Sequence, residues 1–418
     1  MKRRAFLRYS FVAALTACLV RAREEKRAPR ILLCSAWQVV NIGDIAHTPG
    51  ALALLEQYLP DAEITLWAFN PLTPAARDLL LRRFPKLQIL ETKVNRDEPL
   101  DAQTVAAMDR SDFFLHGSGP ATLGWAHALA FARHTGRGFG VLGVTYGLYG
   151  TPEREMLSQA RFVYFRDPVS LERAKQEGIH APIMEWAPDT AFAFDIRDDR
   201  RADEYLATAG LERGKFLCCI SRFRNTPFWE IPSKHVAIDA TKHARNMAMK
   251  TSDAAPLLES IIAVARETSL KILLCPEDET QMAINREMLW GPLPEDVRSK
   301  VVLRETFWLP DEAVSVYERS VGLFGHEMHS PIMCIGRGIP AIVCRWAEQS
   351  SKGTMWRNIG LGDWLFDLDL PEETARVAPA VLAMAKDPAG SRARAGQARA
   401  IVRSRFQTVM GTVVQAVA

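Results

Sequence analysis

The segment Phe113-Phe114-Leu115-His116-Gly117-Ser118-Gly119-Pro120 sets a bulky apolar run directly against a glycine-bearing turn. A run with no polar residue in alternation suits a strand buried on both faces, as in a parallel sheet covered by helices. The two glycines allow a close backbone approach that a Cβ would obstruct, which makes Gly117, Ser118 and Gly119 candidate substrate-binding positions. Working outward, similar apolar runs occur at 31–36, 64–68, 87–90, 139–144 and 162–165. Between them, 51–59, 74–84, 102–108, 125–135 and 169–177 carry apolar residues at helical spacing. This alternation predicts an α/β domain over 30–196, a doubly wound parallel sheet with helices on both faces.

A polar stretch at 197–215 reads as a linker, after which the pattern resumes with runs at 216–221, 271–275, 301–303, 321–324 and 341–344. A second α/β domain is therefore expected over 216–370, followed by helices over 371–418, where the composition is rich in Ala and Arg. Two such sheets facing each other leave a cleft at the carboxyl ends of their strands, where open α/β sheets bind ligands. With 418 residues, 48% of them hydrophobic, the chain has apolar material for two cores.

The net charge of +3 is small, and the cations are scattered among acids, so nucleic acid is not expected as a partner. Six of the seven cysteines, Cys34, Cys218, Cys219, Cys275, Cys334 and Cys344, mostly sit in apolar runs without CxxC spacing and read as buried free thiols. The sequence carries no signal for an oligomeric state.

Residues 1–29 read as an export signal and linker. Basic Lys2, Arg3, Arg4 and Arg8 precede an uncharged stretch too short to span a bilayer, and a charged run follows. Arg3-Arg4-Ala5-Phe6-Leu7-Arg8 resembles the twin-arginine export signature, and Leu15-Thr16-Ala17-Cys18 resembles a lipobox. The expected location is the periplasm or cell envelope, with membrane attachment only through a lipid on Cys18. Cleavage after Ala22 is the alternative, and a cytoplasmic protein results if the segment is no signal.

Strand-to-helix junctions hold the remaining candidates. Asn41-Ile42-Gly43-Asp44 ahead of a helix suits an anion or a sugar hydroxyl, or else simply satisfies turn amides. Arg166-Asp167 and Asp189 read as structural, with Arg166 and Asp167 forming an ion pair that holds a turn. Past 216–221, Arg222 and Arg224 offer planar forks for phosphate or carboxylate. His326, Glu327 and His329 crowd one junction, where imidazole can bind an anion or move a proton. No metal is expected, because His326 and His329 are three apart and lack the HExxH spacing. Lys352 adds a cation near the next helix start.

In this order the pieces resemble the polysaccharide pyruvyl transferase family. The matching residues are Asn41, Gly43 and Asp44; Gly117, Ser118 and Gly119; Arg166, Asp167 and Ser170; Asp189; Ser221 and Arg222; His329 and Ser330; Gly338 and Pro340; and Lys352. The resemblance implies a glycosyltransferase-B-like fold and transfer of a carboxyvinyl group from phosphoenolpyruvate to a sugar hydroxyl of a glycan, closing to a ketal. Phosphoenolpyruvate enters as donor substrate, with no cofactor. By position, Arg222 and Arg224 would grip the donor's anionic groups, His329 would bind it and supply a proton, and Asp44 would act as base toward the acceptor. One departure stands out: Glu327 occupies the place of the family's arginine ahead of Leu-His. A glycan-acting hydrolase or lyase, or a non-catalytic glycan-binding protein, exported on the same fold, is the alternative.

Overall fold

The computed structural model describes residues 27–35, 38–94 and 99–418; residues 1–26, including the expected leader motifs and Cys18, lie outside the described residues. Thirteen strands form two parallel sheets among them. The first contains β1 (Arg30–Cys34), β2 (Glu63–Trp67), β3 (Gln88–Leu90), β4 (Phe113–His116), β5 (Phe139–Val144), β6 (Val163–Phe165) and β7 (Met184–Trp186), in the order β3-β2-β1-β4-β5-β6-β7. The second contains β8 (Phe216–Ile220), β9 (Lys271–Leu274), β10 (Val301–Leu303), β11 (Leu323–Gly325), β12 (Ala341–Arg345) and β13 (Leu365–Asp367), in the order β10-β9-β8-β11-β12-β13.

Every residue of β4, β5 and β8 is buried, as strands covered by helices on both faces must be. Strand order reverses between β1 and β4 in one sheet and between β8 and β11 in the other, where Cys34 pairs with His116 and Cys218 with Leu323. Loops leaving a sheet at such a switch diverge to opposite faces and open a crevice at the carboxyl end. Both crevices face each other here.

Three expectations are corrected. The helix expected at 51–59 begins at Ile42 and runs to Tyr58, with Pro49 inside it. Asn41 caps its first turn, so the glycine-bearing turn belongs to the helix itself. The supposed linker 197–215 contains the helix Asp199–Ala209, docked on the helix Pro310–Arg319: the Asp198 amide donates to the Asp311 carbonyl at 3.2 Å, and Arg319 pairs with Asp203 at 2.6 Å. The short strands β7 and β13 go unforeseen because each carries polar residues at a sheet edge.

The last helix, Pro388–Val417, turns Ala395, Ala398, Val402, Phe406, Val409 and Val413 inward at helical spacing. It crosses back to the first sheet, where Arg405 donates to the Trp186 carbonyl at 2.7 Å and Thr412 meets Tyr164 at 2.8 Å. The chain thereby straps its second domain to its first. The six cysteines from Cys34 onward are buried and free.

Candidate active site

Asn41 Oδ1 accepts from the amides of Gly43 at 2.8 Å and Asp44 at 3.2 Å, fixing the helix start at the end of the loop that follows β1. Gly43 is required by packing, since an added Cβ would lie 2.0 Å from the Cβ of His329 in the other domain. Helical spacing places Asp44 and His47 on one face, with His47 Nε2 3.9 Å from Asp44 Oδ1. Gln38 donates to the other oxygen of Asp44, and Lys234 reaches Gln38 at 2.9 Å.

His47, absent from the sequence-based candidates, is anchored through Nδ1, 2.8 Å from both Asp189 Oδ1 and Ser118 Oγ. The second oxygen of Asp189 accepts from Arg166 at 2.9 Å, and Arg166 Nε donates to Thr145 at 2.7 Å. Arg166 therefore pairs with Asp189 and not with Asp167, which instead caps the next helix by accepting from the Ser170 amide at 2.8 Å. Burial opposes charge on Asp189, yet His47 and Arg166 prevail and hold its carboxyl well below the usual carboxylate range.

The glycine turn plays a different part from the one expected. The Gly117 amide donates to the Cys34 carbonyl at 2.7 Å, the Gly119 amide reaches the Gly143 carbonyl at 3.4 Å, and Ser118 serves His47, Asp189 and Thr190. These groups bind the protein to itself, in place of the substrate-binding role expected of Gly117, Ser118 and Gly119.

From the second sheet, Arg222 follows β8 with its side chain 13% exposed; it donates to Thr226 at 3.0 Å and meets Glu327 at 3.3 Å. Arg224 points elsewhere: Asp253 at 2.9 Å, Glu348 at 3.1 Å and Asp369 at 2.7 Å engage it over the Trp346 ring. Its expected role as a substrate clamp gives way to a structural one. His326 also turns from the cleft, its ring centroid 4.9 Å from that of Trp346. Burial and then Arg222 push its imidazole down to about 3, so it brings no cation to an anionic ligand at neutral pH.

The loop after β9 supplies the residues that sequence reasoning missed. Glu277 accepts from the Ser330 amide at 2.6 Å and lies 3.2 Å from His329 Nδ1, while Gln281 donates to Glu327 at 2.6 Å. Burial raises the carboxyls of Glu277 and Glu327, and burial with Glu327 nearby pushes Asp278 up to about 6. The signal was present as Pro276-Glu277-Asp278-Glu279 directly past a buried strand run.

This loop also meets the first domain. The Ile42 amide donates to the Glu277 carbonyl at 2.9 Å, and the Glu279 amide to the Val40 carbonyl at 3.1 Å. Lys352 completes the cleft: burial lowers its ammonium, opposed by Glu327 and reinforced by Arg166 and Arg222. Burial, then Lys352, pushes His329 down to about 3, so at neutral pH it is an uncharged imidazole.

The sequence profile described as polysaccharide pyruvyl transferase matches residues 41–348, a span from the Asn41 cap to Glu348 that takes in Asp44, His47, Asp189, Arg222, Glu277, Glu327 and His329 but not Gln38 or Lys352. The chain belongs to the polysaccharide pyruvyl transferase family. No curated protein matches it. Among solved structures, a putative UDP-N-acetylglucosamine 2-epimerase from Listeria monocytogenes is similar with a TM-score of 0.57 and 11% identity, covering 92% of this chain and 95% of that one. The UDP-GlcNAc 2-epimerase from Neisseria meningitidis, bound to UDP-GlcNAc, gives a TM-score of 0.54 at 12% identity over 92% of this chain and 100% of its own. UGT71G1 from Medicago truncatula, complexed with UDP-glucose, gives 0.51 at 11% identity over 93% and 98%. At these identities the likeness shows the glycosyltransferase-B-like fold.

As a member of the polysaccharide pyruvyl transferase family, the protein is by lineage a glycan-modifying transferase. A groove of about 580 Å³ lies at the domain boundary, with Thr145, Tyr146 and Arg173 on one wall and Arg345, Ser350 and Ser351 on the other. Thr145 touches Arg166, and Ser351 precedes Lys352, so the groove adjoins the charged cluster.

Proposed function

We propose that this protein transfers a carboxyvinyl group from phosphoenolpyruvate to a hydroxyl of a cell-envelope or extracellular glycan, closing it to a pyruvate ketal. The observation that carries the reading is the pairing of a partly exposed Arg222 with Glu327, a buried carboxyl raised by its surroundings, at the second switch point. Burial favours the protonated form of this carboxyl, and in that form it presents no charge to an anionic donor. Glu327 in the family's arginine position then becomes a proton source.

In this scheme Arg222 and Lys352 hold the donor's phosphate and carboxylate. Glu327 gives its proton to the donor's methylene carbon, forming a methyl group and leaving the central carbon cationic. A glycan hydroxyl oxygen bonds to that carbon and passes its proton to Asp44, which the Gln38 hydrogen bond and the Lys352 ammonium help to hold ionised against the cost of burial. The carbon–oxygen bond to phosphate breaks, and phosphate departs with the electron pair. A second hydroxyl bonds to the same carbon and gives its proton to the Glu327 carboxylate, restoring the acid and completing the ketal. His329, uncharged, orients the donor, and the acid role expected of it passes to Glu327. The groove beside Ser351 receives the acceptor. On the strength of residues 1–29 we place the protein outside the cytoplasm, which fractionation of cells expressing the full chain tests.

Calorimetric titration with phosphoenolpyruvate tests the donor. Binding near 1 μM, about −8 kcal/mol, that is lost in Arg222→Ala supports the reading. No heat at millimolar donor overturns it and favours acidic glycans as ligands.

A further inference from the structure

Two buried imidazoles meet at the domain boundary, each with a nitrogen that no group among the described residues satisfies. The ring centroids of His47 and His329 are 5.0 Å apart in an edge-to-face arrangement. Both Nε2 atoms are buried and lack a hydrogen-bond partner among the described residues. Leaving a buried polar atom unsatisfied is costly, and two together call for an occupant that bonds both. The third group is Asp44, and one donor atom from each of the three lies within 4.8 Å of the others.

The far side of each ring says what kind of occupant. His47 Nδ1 lies 2.8 Å from Asp189, and His329 Nδ1 lies 3.2 Å from Glu277. A carboxylate that accepts from Nδ1–H fixes the tautomer whose lone pair is on Nε2 and strengthens it as a donor. This is the outer support found behind metal-bound imidazoles. It occurs here twice, from two domains, at one point. Two nitrogen lone pairs and a carboxylate are all electron-pair donors, so the group that satisfies them is an electron-pair acceptor.

We propose that Asp44, His47 and His329 bind a divalent transition metal of the zinc class across the domain boundary, leaving a coordination position open to the cleft. Imidazole with carboxylate favours such ions over magnesium or calcium. Bonds of about 2.0–2.1 Å require the donors to draw in by roughly 1 Å. The absence of an HExxH spacing did not exclude this site, because the second histidine comes from the other domain rather than from position 326. The ion would also clamp the domains, since His47 belongs to the helix Ile42–Tyr58 and His329 to the helix His329–Arg337.

The test uses the full chain, stripped with a chelator and titrated with Zn²⁺ alone. No phosphoenolpyruvate or glycan is present, so the outcome is separable from the donor assignment. One ion per chain with a Kd below about 1 μM is expected, together with a rise in thermal midpoint. Asp44→Asn, His47→Gln and His329→Gln should each weaken binding at least about tenfold, whereas His326→Gln should not. Should a variant fail to fold, X-ray absorption of the Co²⁺-loaded wild type still reads the ligands, with two imidazoles and no sulfur expected. Less than a tenth of an equivalent bound, a spectrum without imidazole, or equal losses in His326→Gln and the three site variants would overturn the proposal.

Discussion

His47 Nδ1 lies 2.8 Å from Asp189 Oδ1, joining residues 142 positions apart, and the other oxygen of Asp189 holds Arg166. One buried carboxylate thus fixes an imidazole on the first helix and a guanidinium after β6. Replacing Asp189 with Asn leaves Arg166 charged and unpaired in the interior, which should cost about 3–5 kcal/mol. Urea denaturation at pH 7 checks this; a loss under about 1 kcal/mol, the range of an exposed pair, would show that water already reaches the pair.

Gly43 and Gly411 make a matched test of packing. A Cβ on Gly43 would strike His329, whereas one on Gly411 meets nothing within 4 Å. Gly43→Ala should destabilise by about 1–3 kcal/mol through overpacking at the domain boundary. Gly411→Ala, inside the long terminal helix, should stabilise by about 0.5–1 kcal/mol. Opposite signs in thermal unfolding are the expected result, and a neutral Gly43→Ala would mean that the domains part readily.

Arg222 and Arg224, two residues apart, should fail in different ways. Arg224→Ala strands Asp253 and releases Glu348 and Asp369, so a loss of about 3–5 kcal/mol in unfolding free energy is expected. Folded Arg224→Ala protein should keep the donor affinity of the wild type. Arg222→Ala should fold nearly as well as the wild type and lose donor binding. Equilibrium unfolding and calorimetry on both variants separate the two roles, and an exchange of phenotypes would contradict the assigned site.

That contrast marks what the sequence conveys. Apolar runs such as 139–144 announce a two-sheet architecture because burial on both faces leaves a continuous signature in composition. Arg222, His329, Asp44 and Lys352 could be located because strand ends are where such sheets bind ligands. Direction is another matter. Strand-to-helix position is alike for Arg222 and Arg224, and alternation would set residues two apart on one face; it is Asp253 from a distant helix that turns the latter inward. His47 and Glu277 escaped because each gains its meaning from a partner distant in sequence, Asp189 and His329 respectively.

Buried histidines that resist a proton weaken the fold in acid, and His116 tests this away from the charged cluster. Its Nδ1 lies 2.7 Å from the Gly117 carbonyl, and its Nε2 accepts from the Gly124 amide at 3.0 Å. A proton on Nε2 would face that amide, and burial pushes the imidazole down to about 4. The unfolded chain takes up this proton near pH 6.5 and the folded chain only near 4, so the unfolded state binds more protons in between. The contribution is intact above about pH 6.5 and is lost as pH falls through 6.5 toward 4, on the order of 3 kcal/mol at about 1.36 kcal/mol per pH unit. Asp278, raised to about 6, works in the opposite sense, losing stability as pH rises from about 4 to 6. The readout for His116 is therefore a difference: His116→Phe, destabilised at pH 7, should close most of its gap to the wild type by pH 4. A gap that stays constant across that range in equilibrium unfolding would place the His116 proton uptake near the ordinary imidazole value.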